Sequence, residues 1–92
     1  MIQVFDVWAE WCPPCKKFGP IFSQVASEYG DRAVFTKVDA DTDQGNEFLN
    51  EYGIRGIPTI LILDSENSII FQHAGILSAD AFRSVLDSHI AK

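Results

Sequence analysis

Residues 2–8 (IQVFDVW) form a nearly continuous apolar run broken by Asp6. That pattern suits a strand covered on both faces. Beyond Ala9–Cys15 the period changes: Phe18, Ile21, Phe22, Val25, Ala26 and Tyr29 recur at helical spacing and make one broad apolar face. Pro20 sits inside this pattern and predicts a kink, and Gly30 ends the helix. Residues 33–39 (AVFTKVD) read as a second strand. The acidic stretch Asp39–Asp43 leads into a short helix carrying Phe48, Leu49 and Tyr52, closed by Gly53. Residues 59–63 (TILIL) predict a third strand, Asp64–Asn67 a turn, and residues 68–73 a returning fourth strand. Ser78 is a candidate N-cap for a last helix whose Phe82, Val85, Leu86 and Ile90 share a face.

The order is therefore β-α-β-α-β-β-α. The first three strands, joined by helices, are expected to pair in parallel, and the fourth to form a hairpin with the third. An α/β fold follows, a mixed four-stranded sheet with helices on both faces. The 92 residues suit one domain, 1–92, and the 47% hydrophobic content supports a packed core. A chain of this size buries only about 60–65% of its unfolded surface, so its stability margin is thin. The net charge of −6 argues against nucleic acid or anionic lipid as partners. No apolar run approaches a membrane span, and no charged-then-apolar leader stands ahead of the first strand. The expected location is the cytoplasm.

The only two cysteines are Cys12 and Cys15, in Trp11-Cys12-Pro13-Pro14-Cys15. As a staple the pair would be weak. A four-residue ring adds roughly 2 kcal/mol on the chain-entropy estimate, against almost 5 for a loop of a hundred residues. Structural zinc needs four ligands, and the only histidines, His73 and His89, lie on the fourth strand and the last helix. Redox chemistry fits better. Cys12 falls where a strand ends and a helix begins, so its thiol feels the positive end of the helix dipole and nearby free N–H groups. Both favour the thiolate, the nucleophile of disulfide exchange. Cys15, one turn later, is placed to resolve the mixed disulfide that Cys12 forms.

The run Trp8-Ala9-Glu10-Trp11-Cys12-x-x-Cys15-Lys16, then Pro20, Tyr52-Gly53-Ile54-Arg55-Gly56-Ile57-Pro58-Thr59 and Gly75 resembles the thioredoxin family in order, over nearly the whole chain. The resemblance implies a thioredoxin fold and a protein-disulfide reductase recycled by a thioredoxin reductase, with no metal or bound organic cofactor. It implies a cis bond before Pro58, beside the cysteines, and an Ile57 backbone that pairs with an extended substrate segment. Trp11, Ile57, Pro58, Gly75 and Ile76 would then surround Cys12 as a flat, mildly apolar docking surface.

Asp6 is costly in an apolar strand unless it is neutral, paired or working. The resemblance implies a carboxylate behind the cysteines that accepts the proton of Cys15, accompanied by Lys37 on the adjacent strand. The plainer reading is an aspartate facing a solvated groove. Trp8 is expected to pack and Trp11 to lie on the surface. Lys16 and Lys17 read as solvated charges, and His89 as a helix-boundary residue rather than a ligand.

Two departures from the family pattern stand out. Pro13-Pro14 replaces the usual Gly-Pro, and Pro14 biases Pro13 away from helical geometry, which predicts a later helix start. The chain also begins at what would be the family's second strand, leaving residues 33–39 as an open edge. A monomer with weak edge-strand self-association is expected. Rival readings are a more oxidising or dedicated thiol–disulfide exchanger, a non-catalytic adaptor on the same fold, and an interaction domain cut from a larger protein.

Overall fold

The computed structural model describes residues 1–90. Four strands, β1 (Gln3–Trp8), β2 (Val34–Asp39), β3 (Thr59–Leu63) and β4 (Ile69–Ala74), form one sheet in the order β2-β1-β3-β4. Three helices, α1 (Pro13–Tyr29), α2 (Asp43–Tyr52) and α3 (Ala79–Ile90), complete the expected order. No helix among the described residues is long and apolar enough to cross a membrane.

Strand alternation divides the core in two. Val4, with Ile60 and Ile62 of β3, packs with Phe18, Phe22 and Val25 of α1 and Phe82 and Leu86 of α3. Phe5 and Val7, with Leu61 and Leu63, pack on the other face against Phe48, Leu49 and Tyr52 of α2. This is why β1 and β3 read as continuous apolar runs: both of their faces are covered. Burying each large side chain contributes about 1.5–3 kcal/mol. Tyr29 pins the end of α1 to α3, its hydroxyl donating to Asp87 Oδ1 at 2.6 Å with the Arg83 carbonyl oxygen 3.2 Å away. Burial, reinforced by the Asp87 hydrogen bond, pushes the Tyr29 phenol up to about 12.

Two expectations are corrected. β1 and β2 are parallel and β3–β4 is a hairpin, but β3 runs antiparallel to β1, with Val7 opposite Thr59 and Gln3 opposite Leu63. A helix between two strands does not oblige them to be parallel. Here α2 and residues 53–58 return the chain to the end of the sheet that β2 left, so β3 starts there. The second correction is the start of α1, which begins at Pro13 with Cys12 as its N-cap. The two prolines occupy the first two helical positions, whose N–H groups have no acceptor inside a helix, and the fixed φ of proline suits them. That advantage outweighs the clash of Pro14 with Pro13. The helix is continuous through Pro20, up to Tyr29.

The remaining caps follow the sequence reading. Gly53 closes α2 in the left-handed region at φ 65°, and Ala81 N donates to the Ser78 side chain at 3.1 Å ahead of α3. Gly45 has a reason the sequence did not disclose. A Cβ there would lie 1.8 Å from the Asp39 carbonyl oxygen, so only glycine lets the first turn of α2 close onto the end of β2.

Candidate functional site

The C-terminal ends of β1 and β2, the start of β3 and the end of β4 meet at one end of the sheet, because Trp8 pairs with Asp39, Val7 with Thr59, and Thr59 with Ala74. Residues far apart in sequence converge there. Cys12 and Cys15 form a disulfide with Cα atoms 5.2 Å apart. Both are buried, 4% and 3% exposed, so exposure does not separate the attacking from the resolving sulfur. Helix geometry does. Cys12 is the N-cap of α1, and its sulfur accepts the N–H of Cys15 at 3.3 Å. That donor and the positive helix end stabilise negative charge on Cys12 in particular. The prolines withhold two N–H groups from the helix end, leaving Cys15 to supply this bond.

Around the sulfurs, the proposed docking residues take distinct places. The Ile57 carbonyl oxygen lies 3.8 Å from Cys12 Sγ. The Ile57–Pro58 peptide is cis. Pro58 is buried, so it backs the surface rather than forming it, and its carbonyl accepts the Gly75 N–H at 2.8 Å. Gly75 has φ 109°, a conformation open to glycine. Trp11 and Ile76 are the apolar groups on the outside, 68% and 41% exposed. Sequence reasoning missed Asp41, whose Oδ1 accepts the Trp11 indole N–H at 3.2 Å and so fixes the exposed ring. The acidic stretch after β2 was visible in the chain, but not its partner.

Asp6 and Lys37 are Cα partners across β1 and β2. Asp6 is 1% exposed, and neither carboxylate oxygen has a hydrogen-bond partner among the described residues. Burial pushes its carboxyl up from 3.8 to about 6, while the charge of Lys37 opposes the rise. Asp6 thus makes no direct hydrogen bond to either cysteine. It lines a cavity of about 400 Å³ together with Trp8, Lys37 and Gly19. Gly19 was also missed. A Cβ on it would stand at ordinary contact distance, 3.5 Å, from Lys37 Nζ, which places the lysine amine over this turn of α1. Trp8 is half-buried, and Lys16 and Lys17 are exposed, as expected. His89 lies against Phe71, ring centroids 6.3 Å apart. Among the described residues no group of three or more His, Cys, Asp or Glu is placed to hold a metal.

Comparison with known proteins agrees with this geometry. The Thioredoxin family model matches residues 1–88. The chain is 35% identical over 85 residues to a thioredoxin of Chlorobaculum thiosulfatiphilum, covering 92% of this chain and 76% of that one. It is 32% identical over 89 residues to a thioredoxin of Bacillus subtilis (strain 168), covering 97% and 83%. A crystal structure of chloroplastic thioredoxin z superposes with a TM-score of 0.83 at 28% identity, over all of this chain and 80% of that one. With a redox-capable cysteine pair at the head of α1, a cis proline beside it and a family match over nearly its whole length, the chain belongs to the thioredoxin family.

Proposed function

We propose that this disulfide reductase works by attack of the Cys12 thiolate on a substrate disulfide, followed by attack of Cys15 on Cys12 Sγ. The products are a reduced substrate and the Cys12–Cys15 disulfide, so two electrons pass from the protein to its substrate. One observation carries the assignment: Cys12 is the N-cap of α1, with the Cys15 N–H directed at its sulfur. Asp6, with Lys37 beside it, accepts the proton that Cys15 must lose before it attacks, and a single water relays that proton because the two groups make no direct hydrogen bond. Trp11, Ile57, Gly75 and Ile76 receive an extended substrate segment, with Pro58 behind them. The family implies disulfide-bearing proteins as substrates and thioredoxin reductase as the electron source, with no cofactor beyond the cysteine pair. We place the protein in the cytoplasm, as a carrier in electron transport. Insulin reduction driven by dithiothreitol tests the reading, and turbidity from precipitating insulin chains is the expected result. A protein that binds insulin and leaves its disulfides intact would instead be an adaptor.

The state of association forms part of this proposal. β2 is an edge of the sheet, with Val34 46% exposed. Such an edge can pair with a second chain. Sedimentation equilibrium is expected to give a monomer at low concentration and weak association at high concentration, with fast hydrogen exchange along residues 34–39. A monomer throughout, with slow exchange there, would refute association through β2.

A further inference from the structure

Three buried polar atoms on one face of β1 lack a hydrogen-bond partner among the described residues: Asp6 Oδ1, Asp6 Oδ2 and Trp8 Nε1. Buried polar groups are nearly always satisfied, so three orphans in one place require an account. Asp6 and Trp8 are two residues apart on a strand and project from the same face, with backbone positions about 7 Å apart. Both line the cavity beneath α1. Their chemistry is complementary. An indole N–H only donates, and an ionised carboxylate only accepts. A single water lodged between the two groups would accept from one and donate to the other.

We infer that Trp8 is a positioning residue for Asp6: its indole N–H, through one bound water, holds and favours the Asp6 carboxylate. The inference rests on the reading of Asp6 as the base for Cys15. It assigns Trp8 a polar task in addition to packing. A donor directed at the charged form opposes the effect of burial and acts in the same direction as Lys37. The other charged groups around Asp6 are accounted for. β2 contributes Lys37, α1 contributes Lys16, and the loop before α1 contributes Glu10. β3 contributes none, since Ile60 is the residue opposite Asp6. Lys16 and Glu10 are paired with each other at 3.8 Å and both exposed, which leaves Lys37 and Trp8 as the local support for a negative charge.

The oxidised protein is the right sample, because its cysteines do not titrate. In an NMR titration, the Trp8 indole N–H resonance is expected to follow pH with the same midpoint as the Asp6 carboxyl carbon, and to become flat in Asp6→Asn. The Trp11 indole, bound to Asp41, serves as the internal control. In Trp8→Phe the Asp6 midpoint is expected to rise by about half a pH unit or more. A Trp8 indole that stays flat while Asp6 titrates would overturn the inference, and so would an unchanged Asp6 midpoint in folded Trp8→Phe. The pH profile of mixed-disulfide resolution, measured on the reduced variant, separates this result from the role of Asp6. A displaced Asp6 midpoint with an undisplaced profile supports the Trp8–Asp6 link and rejects Asp6 as the base.

Discussion

Cys12→Ser abolishes insulin reduction, by roughly a thousandfold or more, because serine offers no accessible anion at neutral pH to open a disulfide. Cys15→Ser behaves differently. Its Cys12 still sits at the N-cap of α1 and still attacks, but no thiol one turn away displaces the substrate. The variant therefore accumulates a mixed disulfide between Cys12 and its substrate, released only by an external thiol at bimolecular rates. Non-reducing mass spectrometry after a brief exposure to insulin reads both outcomes: adduct with Cys15→Ser, none with Cys12→Ser. The two sulfurs are almost equally buried, so this asymmetry tests the helix-end argument itself. Full activity of Cys12→Ser, or adduct formation through Cys15, would reverse the roles.

Asp6→Asn is expected to stabilise the protein and slow it at once. The Asp6 carboxyl titrates at about 6 in the folded chain against an ordinary 3.8. Below pH 3.8 both folded and unfolded chains hold the proton, and the group has no effect. Between 3.8 and about 6 the folded chain retains a proton that the unfolded chain has released, so stability falls as pH rises. Above that window the loss is complete, about 2–3 kcal/mol. Asparagine carries no charge at any pH and escapes this loss, although its buried amide recovers less than the whole of it. Urea melts are expected to show Asp6→Asn more stable than the parent by about 1–2 kcal/mol at pH 8, with the advantage gone at pH 3.5. Resolution of the mixed disulfide at pH 7 should slow by about a hundredfold, and recover toward pH 9 as the thiol ionises unaided. Equal stabilities at both pH values would mean that Asp6 is not desolvated. An unchanged resolution rate would remove it from the reaction.

Much of the molecule follows from local pattern. A switch from continuous apolar runs to helical spacing located β1 and α1, because each period reflects which faces are covered. TILIL was legible as a buried strand, and Gly53 and Ser78 as helix boundaries, since those residues act within one turn of where they stand. The cysteine pair was legible too. Its place at a strand-to-helix junction is encoded by the neighbouring residues, whereas the Pro13-Pro14 pair points to a later helix start than the one at Pro13. Asp6 was marked by its misfit with the apolar strand, before any fold was known.

What the sequence by itself left undecided depends on distant segments meeting. The direction of β3 is not encoded in TILIL, which fits either orientation; the return of the chain through residues 53–58 decides it, and with it the placing of Ile57 against Cys12. Asp41 holds Trp11 across a separation of 30 residues, and Gly45 is glycine because the Asp39 carbonyl approaches it from another element. That Asp6 is buried at the wall of a pocket shared with Trp8, Gly19 and Lys37 depends on α1 and β2 packing against β1. A strand's own alternation gives the side on which a residue lies. Only tertiary packing determines what covers that side, and therefore whether its charge is solvated, supported or forced toward neutrality.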